Sequence, residues 1–298
     1  MTELASWVAR ERVEEDVLTL FPARGMAALL DRPSEPFSEG ARLPAGWHWL
    51  YFRPLPRRSE LGPDGHERRG AFLPPVPLPR RMWAGGRLEL PGELRLGERV
   101  TRRSTVESVR EKEGRSGRLA FVTVRHRVEG PRGLAVDEEQ HLVYRDGSGG
   151  GRPWGTERAS ADADWSETFL ADPVTLFRFS ALTFNGHRIH YDHPYATAHE
   201  GYPALVVHAP LTALLLLDAV CRHGGGTPRS FSYRASSPLF AGEEIRLEGR
   251  RAGDGSDVVA WAAAPDGAVA MRCEAVWGEG IAPSGAAMAD PPLPEAGR

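Results

Sequence analysis

The densest group of reactive side chains is Phe184-Asn-Gly-His-Arg-Ile-His-Tyr-Asp-His193, which carries three of the ten histidines within seven residues. Histidine is the side chain whose ordinary pKa, about 6.5, suits proton transfer near neutrality. A further histidine, His208, stands just ahead of an apolar segment that begins at Pro210. His187 and His190 are three residues apart, but no cysteine or second pair completes a set of metal ligands, so no metal is expected. The chemistry this pattern suits is acid/base transfer of protons.

The elements that must position the cluster follow from periodicity. Residues 210–223 open on proline and are followed by Gly224, Gly225 and Gly226, the punctuation of a helix. Apolar residues run almost all the way round this segment, so burial on most sides is expected. A weaker counterpart at 17–30 is interrupted by Pro22 and Gly25. The stretch Asp146-Gly-Ser-Gly-Gly-Gly-Arg-Pro153 reads as a linker dividing the chain nearly in half, which invites a search for a repeat.

A repeat is present. Leu94-Arg-Leu-Gly-Glu-Arg-Val100 and Leu239-Phe-Ala-Gly-Glu-Glu-Ile245 both read Leu-x-x-Gly-Glu-x-Val/Ile. Each leads into a strand and a glycine turn (113–117 and 253–255), then a second strand (119–128 and 258–264) and a third (134–144 and 268–277). The last of these puts Val269, Met271, Cys273, Ala275 and Trp277 on one face, the period of a half-buried antiparallel strand. Residues 32–82, rich in proline and arginine, are an insertion in which 45–52 is expected to form a strand or hairpin arm. A buried helix followed by long antiparallel strands implies a sheet wrapped around that helix. Two copies make an α+β double hot-dog, with two antiparallel sheets each wrapped around a central helix and packed as a pseudo-dimer. The expected division is a non-catalytic half at 1–146, a linker at 147–164, a catalytic half at 165–279 and a flexible tail at 280–298.

Hydrophobic residues make up 41% and charged residues 26% of the chain, with a net charge of -3, so nucleic acid is not an expected partner. Arg57, Arg58, Arg68, Arg69, Arg80 and Arg81 concentrate positive charge locally, as a solvated face or as an attractor of a phosphate-bearing ligand. Cys221 and Cys273 lack metal-ligand spacing, and a reducing compartment is expected. The first 15 residues have no signal-type apolar run, and the apolar stretch at 211–217 is too short to cross a bilayer. No membrane partner and a cytoplasmic location are therefore expected.

Asn185-Gly-His-Arg-Ile-His190, followed after five residues by Ala196, resembles the hydratase motif of MaoC-like enoyl-thioester hydratases, Asp-x-Asn-Pro-x-His, five residues, then Ala or Ser. The wider run Phe179-Ser-Ala-Leu-Thr-Phe-Asn-Gly-His-Arg-Ile-His-Tyr-Asp192 is more similar to one branch, the type-two hydroxyacyl-thioester dehydratases and the mesaconyl-CoA or itaconyl-CoA hydratases. Val206-Val-His-Ala-Pro-Leu211 and Trp83-Ala-Gly-Gly-Arg87 resemble that branch ahead of its central helix and in its N-terminal half. The resemblance extends from about Val17 to Trp277.

What the resemblance implies is reversible addition of water across the double bond of an enoyl thioester, without a cofactor. His190 falls at the catalytic histidine and would move the protons. Asn185 falls where many members carry aspartate, and an amide can only orient water or a hydroxyl. His190 would then handle both proton movements, or Asp192 or His187 would assist. The enolate-like oxygen needs a donor, and the backbone N–H of Ala209 at the helix start is the candidate, since Pro210 has none. His208 is a candidate substrate-binding group or a helix cap. Arg188 and Arg178 are candidates for a ligand carboxylate or CoA phosphates, or ordinary surface ion-pair residues. Tyr191 and Trp83 are candidate substrate contacts, Trp83 as core or acyl-pocket wall, while Asp192 is also a candidate N-cap.

The expected substrate is a short acyl-CoA, with dicarboxylic mesaconyl- or itaconyl-like groups among the candidates. The alternatives are a 3-hydroxyacyl-carrier-protein dehydratase and a catalytically weak thioester-binding subunit. Because hot-dog folds host many thioester reactions, a thioesterase is a further reading. One chain holds both halves of a pair, so a monomer or a homodimer is expected.

Overall fold

Alternating apolar and polar residues produce two five-strand sets. The first set is β1 (Glu11–Val17), β2 (Arg80–Glu89), β3 (Arg99–Gly114), β4 (Gly117–Gly130) and β5 (Gly133–Arg145). The second is β6 (Trp165–Leu170), β7 (Ser230–Ala235), β8 (Glu244–Ala252), β9 (Asp257–Ala263) and β10 (Val269–Val276). The computed structural model describes residues 3–114, 117–146, 157–252 and 257–278. The expected linker from residue 147 to 156, the turn at 253–255 and the tail lie outside the described residues.

The strands form one antiparallel sheet in the order β1-β3-β4-β5-β2-β7-β10-β9-β8-β6. Taken from its outer edge inwards, each half has the same order, β1-β3-β4-β5-β2 against β6-β8-β9-β10-β7. The repeated Leu-x-x-Gly-Glu motif leads into β3 in one half and β8 in the other, equivalent places in that order. The two sheets anticipated from the sequence are thus joined edge to edge at β2 and β7, where Gly85 faces Arg234 and Gly86 faces Tyr233. A Cβ on Gly86 would collide with the carbonyl oxygen of Glu139 and the phenol oxygen of Tyr233. Small residues in Trp83-Ala-Gly-Gly-Arg87 therefore let the halves approach.

Among the described residues the α-helices are α1 (Leu20–Leu29), α2 (Pro173–Thr183) and α3 (Ala209–Gly224); α3 lies against the sheet, while α1 and α2 pack on each other. Helix α3 is buried from Leu211 to Leu217, packs on β2, β7, β8, β9 and β10, and stops at Gly225 in the left-handed region (φ 85°). Proline occupies its second position, not its first. The shared core joins α1, α2 and α3 to residues of both halves, including Leu88, Val128, Phe231 and Ile245. Burying each such side chain contributes about 1.5–3 kcal/mol.

The first half is less regular than the second. Val17 ends β1 instead of opening a helix, and α1 is a ten-residue helix whose main neighbours are α2 and the turn at Trp47–Leu50. That turn is a 3-10 helix where a strand or hairpin arm was expected. Gly46 in the left-handed region reverses the chain there, Trp47 stacks on Phe37 at 5.3 Å, and His48 and Trp49 both bond the buried carboxylate of Glu138. Ring burial and these hydrogen bonds override strand propensity. Both cysteines are free thiols, and no described helix is long and apolar enough to cross a membrane.

Candidate active site

Helix α2 delivers the histidine-rich segment. Asp172 caps it by accepting from the Thr175 N–H at 2.7 Å, and Pro173 follows as the first helical residue. The helix ends at Phe184, a non-glycine in the left-handed region (φ 52°), which turns the chain back toward α3. Asn185 Oδ1 then accepts from the His187 N–H at 3.0 Å, a local turn that sets up the 3-10 helix Arg188–His190. The Val206 N–H donates to the Ile189 carbonyl at 3.0 Å, fastening this helix to the strand-like segment ahead of α3.

His190 is buried, and its Nδ1 lies 2.7 Å from the Val206 carbonyl oxygen. A carbonyl only accepts, so Nδ1 carries the hydrogen and the lone pair of the neutral ring is on Nε2. Burial pushes the His190 pKa down to about 4, against the opposing pull of the Val206 carbonyl. The site therefore holds a neutral base with a defined tautomer.

His208 is fully buried and precedes α3 without capping it by its side chain. Its ring is turned inward: Nε2 is 2.9 Å from Ser180 Oγ, and the ring stacks on His190 at 3.6 Å between centroids and 19° between planes. Its Nδ1 has no hydrogen-bond partner among the described residues. Burial, and then the neighbouring His190 and His187, hold the His208 pKa well below its ordinary value. Ala209 follows as the first residue of α3, where a backbone N–H has no partner within the helix and sits at the positive end of its dipole.

The proline-rich insertion of the first half reaches the same place. The Arg188 N–H donates to the Asp64 carbonyl at 2.9 Å and Arg188 Nη1 to the Pro63 carbonyl at 3.0 Å. A Cβ on Gly65, itself at φ +90°, would collide with the Gly186 carbonyl oxygen. This docking puts the His66 ring 4.1 Å from that of His187, which in turn meets His190 edge-on at 5.3 Å. His66 Nδ1 is 3.0 Å from Asp64 Oδ2. Burial acts to raise the Asp64 carboxyl pKa, but hydrogen bonds and charge from His66 outweigh it and hold it well below the usual range. Burial, then the Arg81 charge, lowers His66.

Asp64, His66 and His187 each offer a ligand-type atom within 4.8 Å of the others, so their residue types and spacing suit a divalent cation. Against this, Arg81 and Arg69 already act on His66 electrostatically, and His66 Nδ1 is engaged by Asp64.

The expected site residues separate into two groups. His190 and His208 come together, with Ala209 next to His208 at the start of α3, while Asn185 is bonded within its own turn to the His187 N–H. The others do not join the histidines. Arg188 is held by Asp192, at 2.9 and 2.8 Å, and lies 4.0 Å over the Tyr195 ring. Arg178 is exposed on α2, with no ion pair among the described residues. Tyr191 is 49% exposed and donates to the Gly186 carbonyl at 3.1 Å. Trp83 stacks on Tyr233 at 4.7 Å and meets Trp49 edge-on at 5.3 Å, in an aromatic group where the two halves join. Asp192 caps the Tyr195 N–H at 3.1 Å besides pairing with Arg188, which makes it an anchor of the loop. The basic run disperses as well: Arg57 pairs with Glu60, Arg80 with Glu200, and Arg69 donates to the carbonyls of Val76 and Pro79.

Sequence reasoning missed Asp64, His66 and Ser180. Pro63-Asp-Gly-His66 has the composition of any surface turn, and its only signal was an Asp-x-His spacing inside a long insertion.

Comparison with known proteins gives a consistent set of relatives. The sequence model of a family described as hydroxyacyl-thioester dehydratase type 2 matches residues 46–241. The chain is 43% identical to the mesaconyl-C(4)-CoA hydratase of Chloroflexus aurantiacus over 89% of this chain and 95% of that protein. It is 28% identical to the mitochondrial hydroxyacyl-thioester dehydratase type 2 of Schizosaccharomyces pombe, over 69% of this chain and 77% of that one. Among solved structures, a MaoC-like dehydratase from Phytophthora capsici superposes with a TM-score of 0.68 at 17% identity, covering 92% of this chain and 97% of that one. A Mycobacterium tuberculosis protein with a double hotdog fold superposes with a TM-score of 0.58 at 12% identity, covering 92% and 98%. The fold is the double hot-dog.

Proposed function

Because the chain belongs to the hydroxyacyl-thioester dehydratase type 2 family, we propose that it reversibly hydrates a short enoyl-CoA, with a dicarboxylic, mesaconyl-like acyl group as substrate. The observation that carries the reading is the His190 Nδ1 bond to the Val206 carbonyl, which leaves Nε2 as the base. It is a lyase acting on acyl thioesters. The 43% identity to a mesaconyl-C(4)-CoA hydratase over nearly the full length of both chains supports the choice of acyl group.

In hydration, His190 Nε2 takes a proton from water as the oxygen bonds to the β-carbon. The electron pair of the double bond shifts toward the thioester oxygen, which the Ala209 N–H stabilises; such a donor contributes about 3 kcal/mol. The proton then goes from His190 to the α-carbon. Asn185, engaged through Oδ1 with the His187 N–H, retains its amide hydrogens to orient water. His208, stacked on His190, holds that ring in plane. Dehydration runs the same steps backwards.

The pairing of the two halves through β2 and β7 supports a monomer or a homodimer as the working unit. Free Cys221 and Cys273 suit a reducing cytoplasm.

The test is direct. Loss of enoyl-thioester absorbance is measured on adding the protein to mesaconyl-C4-CoA, itaconyl-CoA and crotonyl-CoA, with a thiol reagent present in a parallel sample. Turnover without thiol release is expected. Thiol release instead of hydration would make the protein a thioesterase, and activity confined to carrier-protein thioesters would move the substrate class.

A further inference from the structure

Asn185 leaves no carboxylate at the position where the related motif carries aspartate, yet the histidine cluster has one. Asp64 comes from the first half, on a loop fastened to the Asn185–His190 segment by Arg188 and by the close packing of Gly65 on Gly186. Within the loop, Asp64 Oδ1 accepts from the His66 N–H at 3.1 Å and Oδ2 lies 3.0 Å from His66 Nδ1. The rings then continue without a gap: His66 on His187 at 4.1 Å, His187 on His190 at 5.3 Å, His190 on His208 at 3.6 Å. Among the described residues, Asp64 is the one carboxylate bonded to this row.

The row needs a negative charge during the reaction. When an O–H bond of water breaks and its proton bonds to His190 Nε2, the row gains a positive charge in a buried place. That charge remains until the same proton forms the new C–H bond at the α-carbon. Among the described residues, the other side chains that act on the row are neutral or positive: His66, His187 and His208 are imidazoles, and Arg69 and Arg81 repel the added proton. Asn185 offers only a dipole.

We propose that Asp64 is the counter-ion of this histidine row, a positioning residue that acts through His66 to offset the charge His190 gains, and so supplies the carboxylate that Asn185 does not. This rests on the hydratase reading above. The first half is then part of the site and not only its scaffold. A dication held by the same residues would add to the charge of Arg69 and Arg81 and compete for the Asp64 carboxylate that His66 uses.

The deciding variant is Asp64→Asn, which keeps the shape and removes the charge. With mesaconyl-C4-CoA, kcat is expected to fall about 10²-fold with little change in KM. The acidic limb of the pH profile should move to lower pH, because an imidazolium without its carboxylate loses its proton more easily. Adding Asn185→Asp to that variant should recover part of the loss, which a merely structural role for Asp64 would not produce. Should Asp64→Asn fail to fold by circular dichroism, His66→Gln breaks the same link and should show the same drop and the same shift of the limb. Wild-type kcat and an unmoved limb in the folded variant would overturn the proposal. So would a stoichiometric metal in the purified protein whose removal by a chelator abolishes activity. Histidine titration by NMR, in the intact chain and in Asp64→Asn, needs no turnover. A lower apparent pKa in the variant supports the counter-ion even where the substrate class proves wrong, and an unchanged titration sinks it.

Discussion

The rings of His190 and His208 lie face to face at 3.6 Å, one tied to the Val206 carbonyl and the other to Ser180 Oγ. Two imidazoles at that distance in a buried place cannot both be doubly protonated cations, since each charge would face both burial and the other ring. In the proposed reaction the pair would therefore take up one added proton at a time, at the free Nε2 of His190.

Replacing His190 by alanine should lower kcat by about 10²–10⁴-fold, the usual contribution of a positioned acid/base. The fold should persist, because His190 sits in a 3-10 turn outside the helices and strands that carry the core. Circular dichroism and turnover on the same sample check both halves of this expectation. Near-normal turnover would remove His190 from the role of base.

Ser180→Ala should act on both stability and rate. It removes the partner of His208 Nε2 in a ring whose Nδ1 is already unpartnered, leaving a buried imidazole without hydrogen bonds. The expected cost is about 1–3 kcal/mol in urea unfolding. A slower turnover at unchanged KM would accompany it as the ring under His190 loosens.

Asn185 is bound into its turn through Oδ1, and aspartate offers the same acceptor. Asn185→Asp should therefore retain the fold and turn over at a rate near or above that of the unmodified chain. Asn185→Ala loses the acceptor and the water-orienting amide together, and its kcat should fall steeply. Equal rates for the alanine and aspartate variants would show that neither the turn nor the amide matters.

Stability should decline on acidification before the ordinary carboxylates titrate. The folded pKa of His190, about 4, lies below its ordinary 6.5, and those of His66, His187 and His208 are lowered as well. Below about pH 6.5 the unfolded chain binds protons that the folded chain refuses, so stability is present above that pH and is lost as the pH falls toward 4. Tm measured from pH 8 to pH 4 should drop mainly in the lower half of that range. A flat Tm across it would contradict the burial of neutral histidines.

Gly65→Ala should disturb the site although it lies far away along the chain. The backbone there has φ +90°, and the new Cβ would meet the Gly186 carbonyl oxygen. Strain of this kind costs about 1–3 kcal/mol, and relieving it means moving the Asp64–His66 loop off the His187 ring. Lower Tm together with lower kcat is expected, and a variant with both unchanged would show that the loop is not docked as described.

The sequence by itself determined the elements whose signals are local. Alternation of apolar residues marked β4, β5, β9 and β10, the proline and glycines around 210–226 marked α3, and the Leu-x-x-Gly-Glu repeat announced two equivalent halves. The histidine cluster, and the resemblance of Asn185–His190 to a hydratase motif, pointed to the candidate segment. Only the tertiary structure decided what surrounds it. Helix α2 was missed because exposed Val174 and Phe177 obscure its buried face, and the arm expected at 45–52 became a turn because Glu138 satisfies His48 and Trp49. The joining of β2 to β7 depends on glycines whose use shows only when the partner strand is in place. The Asp64–His66 turn meets His187 across some 120 residues, and a contact of that range leaves no periodicity in either segment. Local patterns are written by neighbours along the chain, whereas the charge balance of the site is set by groups that meet only after folding.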